Sequence, residues 1–229
     1  SFSMIKDRDD GEHKANDDPD IVTIPRKIVV GKGVHKIEKG YGRLQSNLPI
    51  YSVMNIVGDP EVPRKDIVIV GGISFEEGIP GICHLQHLTL RQATGRGVDG
   101  WSSFTMDDVL VEHCGDTGVF AYGTSVDVRC TNVEVRHCAM SGVLAVNGAS
   151  ITLIGAKTTV HDNCTGGDSD QYGLTVWNSS SSTIQLVYPL TKEQVSVNNG
   201  GGGNWGAWRA DINQIKTITP ADDEANLAR

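Results

Sequence analysis

The sequence predicts an all-β chain wound as a parallel β-helix, a solenoid of roughly eight rungs stacked along one axis. Three observations carry that expectation. Glycine is abundant, at 27 of 229 residues, while aromatic residues make up only 6 %. Short apolar-x-apolar triplets recur, each closed by Gly, Asn, Asp or Ser, which is the signature of strands bounded by turns. Finally, the triplets repeat in register along the chain, and a regular period of this length marks a repeat architecture.

In chain order, residues 1–20 come first as an acidic arm. Seven acids (Asp7, Asp9, Asp10, Glu12, Asp17, Asp18, Asp20) face only Lys6, Arg8 and Lys14, with too little apolar surface to order the segment. Ser1-Phe2-Ser3-Met4 reads as a remnant of expression rather than a targeting segment, so compartment stays open, with secretion or a virion both compatible. One β-helix domain then spans 21–218. Its first triplets are Ile28-Val29-Val30-Gly31, Asn55-Ile56-Val57-Gly58 and Val68-Ile69-Val70-Gly71.

The repeat is clearest in Val109-Leu110-Val111-Glu112-His113-Cys114, Val133-Glu134-Val135-Arg136-His137-Cys138 and Thr159-Val160-His161-Asp162-Asn163-Cys164. An earlier copy, Leu88 to Ala93, carries Ala in the Cys slot, so the slots lie 21, 24 and 26 residues apart (93, 114, 138, 164). After each slot comes Gly plus an aliphatic residue: Gly97-Val98, Gly118-Val119, Gly142-Val143, Gly173-Leu174. Turns of unequal length between evenly recurring strand starts suit a coil stacking on its previous turn better than hairpins, whose turns are short and fixed. The glycines are expected to mark corners. Val195 to Gly200 repeats the pattern once more, and residues 219–229 read as a C-terminal tail or a short terminal helix.

Stacking aligns side chains. Cys114, Cys138 and Cys164 fall on one interior line, an apolar ladder of small buried groups rather than a disulfide framework. One position earlier stand Gln92, His113, His137 and Asn163; before those, Arg91, Glu112 and Arg136 alternate in sign, which controls register. His113 and His137 lack a carboxylate to complete a ligand set, so neither metal nor cofactor is expected. With Val98, Val119, Val143 and Leu174 inward, Gly100, Ala121, Ala145 and Val176 also point in. Phe120 and Leu144 then point out, and Trp101, Tyr122, Val146 and Trp177 share a second outward line. Trp101, Phe120, Tyr122 and Trp177 are the candidate binding residues, either as a contact surface or as the seat of a covering loop.

Other classes are excluded or weakened. A net charge of −8 argues against a nucleic-acid partner. No apolar run approaches the roughly 18 residues of a membrane span. Glycine without a three-residue period excludes collagen.

The repeated apolar-x-apolar-x-x-Cys…Gly-aliphatic unit, typified by Val133 to Val143, resembles the right-handed parallel β-helix, or pectin-lyase-like, superfamily over residues 21–207. Asn199 to Gly206, with its glycine run before Asn204-Trp205, resembles β-helix proteins of the microalgal and large-DNA-virus type. The superfamily includes polysaccharide lyases, hydrolases and epimerases, tailspikes and substrate-binding modules, so the resemblance implies a coil and leaves the activity to the site. Clustered aspartates of the hydrolases are absent as a set, Asp107-Asp108 standing alone, and the acidic stack of calcium-dependent lyases is missing. Tyr172-Gly173-Leu174 lacks the Asp-Pro-His continuation of the epimerase motif.

Two expectations about function follow, with a third beside them. The first is a non-catalytic module that binds a glycan or protein partner, or assembles, through the outward face. The second is a lyase or epimerase acting on an acidic glycan with His161, Asp168, Asp170 and Tyr172, beside Asp162, on one Gly-rich loop. A structural rod of a virion or cell covering is the third.

Overall fold

The computed structural model describes residues 26–37 and 47–227. The acidic arm lies outside the described residues. The chain runs repeatedly through the same three strand positions. A first passage holds β1 (Arg26–Val30), β2 (Gly33–Lys36) and β3 (Asn47–Ile50), and a second holds β4 (Met54–Gly58), β5 (Ile67–Val70) and β6 (Gly72–Phe75). In the third and fourth, one long bent strand serves two positions: β7 (Cys83–Arg91) with β8 (Val98–Gly100), then β9 (Phe104–Glu112) with β10 (Val119–Tyr122). The fifth has β11 (Asp127–Thr131), β12 (Glu134–Arg136) and β13 (Val143–Val146); the sixth has β14 (Ser150–Ile154), β15 (Thr159–His161) and β16 (Tyr172–Trp177). The seventh has β17 (Thr183–Val187), a short helix α1 (Lys192–Val195), β18 (Ser196–Val197) and β19 (Gly203–Trp208). β20 (Ile215–Ile218) opens an eighth, and helix α2 (Pro220–Leu227) ends the described chain.

Every strand pairs in parallel with its counterpart in the next passage. Three stacks result. β1, β4, β7, β9, β11, β14, β17 and β20 form the first, and β2, β5, β7, β9, β12, β15 and β18 the second. Because β7 and β9 belong to both, these two make one 13-stranded sheet; the third stack is a separate 7-stranded sheet ordered β3-β6-β8-β10-β13-β16-β19. The fold is therefore all-β, with two large parallel sheets and little helix.

Glycine marks some of the corners, as expected, and shares that role with other residues. Between the first two stacks positive φ is held by His87, Asp108 and Asn132, and by Gly33 and Gly155 (φ 53°, 50°, 52°, 135° and 86°). After the second stack positive φ is held by Gly71, Gln92, His113, His137, Asp162 and Asn198, and after the third by Gly78, Gly123, Asn147, Gly148, Asn178 and Arg209. Asn, Asp and His are the non-glycine residues that tolerate this conformation best. The repeated glycines before the third-stack strands also serve a second need, which is space. A Cβ on Gly118 would sit 2.4 Å from Val135 Cγ1 and 2.8 Å from the Gly142 carbonyl oxygen.

Apolar residues from all three stacks share one interior. Leu85, Met106, Leu153, Leu88, Val111, Val135, Val119, Val143 and Leu174 are all buried there, and Phe75 stacks on Phe104 at 4.9 Å. At the far end Trp205 occupies the interior line of Leu174, with the Lys192 ammonium over its ring at 5.2 Å. Helix α2 lies against the outer side of the first stack, where Asp223 accepts two hydrogen bonds from the Arg129 guanidinium, both 2.7 Å.

The cysteine line needs one correction. Arg136 pairs with His161, so Asp162 aligns with His137 and Asn163, not Cys164, aligns with Cys138. The extra residue in the sixth repeat displaces Cys164 by one. The line therefore changes chemistry halfway: Cys114 and Cys138 are continued by Asn163 and Asn199. Asn163 Nδ2 donates to Asn199 Oδ1 (3.1 Å) and to the Val135 carbonyl (3.0 Å), while its Oδ1 accepts from the Cys138 backbone N–H (3.1 Å). A polar side chain buried this deeply is stable there because its amide groups find partners.

The charged line behaves as register control. Glu112, only 4 % exposed at its side chain, bridges Arg91 (2.6 Å) and Arg136 (2.8 Å) across neighbouring strands. Burial pushes its carboxyl up, but the Arg136 and Arg91 guanidinium groups outweigh that and hold it below the usual range. A lowered carboxylate pKa stabilises the fold above its unfolded value, about 4.3, and that contribution is lost as pH falls through the folded value. Glu112→Gln should therefore melt lower than the wild type at pH 6, with the gap closing as pH falls below about 4. A gap in melting temperature that stays constant down to pH 3 would refute the assignment.

Candidate functional site

The third stack presents its outward lane as follows. Gly100 pairs with Ala121, so Trp101, just past β8, lies beside Tyr122, and its backbone N–H donates to the Phe75 carbonyl (2.9 Å). Tyr122, Val146, Trp177 and Trp208 are paired in direct register. Strand pleating puts these residues outward because Ala121, Ala145 and Val176, one position earlier, face the core. Trp101 packs on Tyr122 at 4.5 Å and Trp177 on Trp208 at 4.7 Å, with Val146 between the two pairs. All four rings remain partly exposed. Strand spacing of about 4.8 Å over four intervals makes a lane of roughly 19 Å.

Phe120 does not belong to that exposed lane. It points outward as expected, but it is 4 % exposed beneath the Arg96 guanidinium, which stands 3.4 Å from its ring centre. Asp99 holds Arg96 in place at 2.8 Å. The ring is packed. Trp208 was not singled out in the sequence, although Ala207-Trp208 repeats Val176-Trp177 as a small apolar residue followed by Trp.

One end of the lane opens into a groove of about 610 Å³ between the turn after β6 and the Trp101–Tyr122 pair. Exposed Ile82 and Glu77 line it together with Thr124 and Ser125. Hydroxyl groups fix this geometry. Ser102 Oγ accepts from Ile79 N–H (3.2 Å) and donates to the Glu76 carbonyl (2.6 Å), tying the turn to the strand. Ser103 Oγ likewise accepts from Asp127 N–H (3.0 Å) and donates to the Ser125 carbonyl (3.3 Å).

The alternative catalytic residues lie on two different stacks and the turn that joins them. His161 sits on the outer face of the second stack, with Nδ1 2.7 Å from Asp162 and Nε2 3.5 Å from Glu134. Tyr172 is on the third stack, its ring laid over Gly206, where an added Cβ would come within 2.3 Å of it. Asp168 and Asp170 are exposed, and Asp170 accepts from the neighbouring Gln171 at 3.4 Å. Among the described residues no hydrogen bond or ion pair joins His161 or Asp162 to Asp168, Asp170 or Tyr172.

His113 and His137 stack face to face, centroids 4.9 Å apart and planes 19° apart, with His137 edge-on to His161. Among the described residues no group of three or more His, Cys, Asp or Glu side chains is placed to hold a metal ion. All five cysteines are free and buried. Burial pushes the Cys130 and Cys164 thiols up to about 12. Such thiols stay protonated and unreactive near neutral pH.

Comparison with family models, with curated proteins and with solved structures finds no match. The functional reading therefore rests on the chain's own geometry. No helix among the described residues is long and apolar enough to cross a membrane.

Proposed function

We propose that this chain is a right-handed parallel β-helix of the pectin-lyase-like kind that binds a glycan along the outward aromatic lane of its third stack. The ordered return of the chain to three strand positions over seven passages supports the coil. Parallel strands joined by crossovers are overwhelmingly right-handed, which supports the hand. The observation that carries the binding reading is the register of Trp101, Tyr122, Trp177 and Trp208, four partly exposed rings in one lane. Rigid rings of this kind offer large apolar faces at low entropic cost, and their rims accept polar neighbours.

The lane is tested by removing its rings. Trp177→Ala should weaken glycan-array or titration binding by at least about tenfold, as buried aromatic anchors do. Its melting temperature should change by only a few degrees, because the ring lies outside the core. A large loss of melting temperature would mean that the ring is a packing element and the lane is not a binding face. Retention of full glycan binding would do the same.

A further inference from the structure

Resting on the glycan reading of the lane, we infer that the groove beside Trp101 and Tyr122 is a subsite for an uncharged sugar unit and discriminates against uronic acids. The chemistry lies in what lines it. Two aromatic rings and the exposed Ile82 supply apolar faces, while Thr124, Ser125 and Glu77 supply hydrogen-bonding groups. Glu77 is the one charged side chain among the described lining residues, and no Lys, Arg or His lines the groove with it.

A neutral pyranose matches that set on both sides. Its C–H face lies against Trp101, and its hydroxyl edge donates to a carboxylate, a charge-assisted bond stronger than one between neutral groups. A uronate in the same place brings its negative charge toward Glu77 with no cation in the groove to compensate, and like charges placed together oppose binding. The surroundings reinforce the sign. Glu76 stands next to Glu77, its carboxylate accepting from Ser74 Oγ at 2.8 Å, and the whole chain carries −8. The guanidinium groups packed against aromatic rings of this face are committed elsewhere: Arg96 to Phe120 and Asp99, and Arg209 to the face of Trp208 at 4.0 Å, at the opposite end of the lane.

The groove is also preorganised. Its walls are held by the Ser102 and Ser103 hydroxyls in bonds entirely within the protein, so a ligand does not have to order a mobile turn. This places selectivity in a rigid feature, and single exposed substitutions can read it.

Calorimetric titration with neutral cello-, manno- and xylo-oligosaccharides, against oligogalacturonate and oligoguluronate, tests the inference. Binding is expected for at least one neutral series and to be insensitive to added salt, since no charge pair drives it. Trp101→Ala should weaken it at least about tenfold, the loss of one aromatic anchor. Glu77→Lys, on an exposed turn and therefore neutral for folding, should weaken neutral binding and raise affinity for the uronates. Tighter binding of the uronates by the wild type, lost in Trp101→Ala, would overturn the charge selectivity and leave the glycan reading standing. Neutral binding lost in Trp177→Ala but untouched by Trp101→Ala and Glu77→Lys would move the subsite out of this groove. Failure to bind either class would sink the glycan reading itself.

Discussion

Replacing Asn163 with alanine is expected to destabilise the protein by about 2–4 kcal/mol, because it strips partners from several buried polar groups at once. The side chain accepts from Cys138 N–H and donates to the Val135 carbonyl and to Asn199 Oδ1, and the residue itself is 1 % exposed. Without it, the Cys138 N–H loses its side-chain acceptor and Asn199 loses a donor. For a chain of this size that loss corresponds to a fall in melting temperature of roughly 5–15 °C. Asn163→Cys provides the internal comparison, since Cys occupies the aligned place one and two passages earlier. It restores bulk without restoring the amide bonds, so its melting temperature should lie between those of the wild type and Asn163→Ala. Should Asn163→Ala melt within 2 °C of the wild type, the amide ladder contributes nothing of weight.

Gly118→Ala is expected to cost about 1–3 kcal/mol, the usual penalty of overpacking a filled interior. The added methyl would meet Val135 Cγ1 at 2.4 Å, the Gly142 carbonyl oxygen at 2.8 Å and Cys138 Sγ at 3.2 Å. Two of those three neighbours are atoms that a simple rotamer change does not clear: a backbone oxygen and a branched side chain locked in a strand. The backbone of Gly118 is not left-handed, so the penalty is steric and not conformational. Gly95→Ala is the control. Nothing lies within 4 Å of a Cβ there, and its φ is ordinary, so it should be neutral or stabilising by up to about 1 kcal/mol. Equal melting temperatures for the two variants would show that the repeated glycines are not there for space.

Much of the fold was legible because repetition multiplies a weak local signal. Any one of the triplets Val109-Leu110-Val111 or Val133-Glu134-Val135 is ambiguous, but several in succession, each followed by Gly and an aliphatic residue, imply parallel strands in register. The inward and outward assignment of the third stack was legible for the same reason, since strand pleating leaves only two choices and small residues at Gly100, Ala121 and Ala145 decide between them. Three matters were not legible. Whether the additional residue in Thr159 to Cys164 falls before or after the slot depends on which pairing satisfies the buried groups, and composition carries no trace of that. Whether Phe120 is exposed depends on Arg96, which reaches it from the preceding turn and is steered by Asp99. The proximity of Glu77 and Ile82 to Trp101 follows from a turn pinned by Ser102, which no local pattern announces.

By itself, then, the sequence determined the class of structure and the existence of an outward aromatic line, because both follow from periodicity and pleating alone. Tertiary structure decided that Asn163 and Asn199 continue the line begun by Cys114 and Cys138, and that Asn, Asp and His share the corners with glycine while the glycine before each third-stack strand makes room. It also placed His161 and Tyr172 on different stacks and buried Phe120 while leaving Trp101 beside an open groove. The physical reason is common to all of these. Each depends on which side chain from a neighbouring passage fills a given volume or satisfies a given polar group, and that neighbour is set by stacking across some twenty to thirty-six residues of intervening chain.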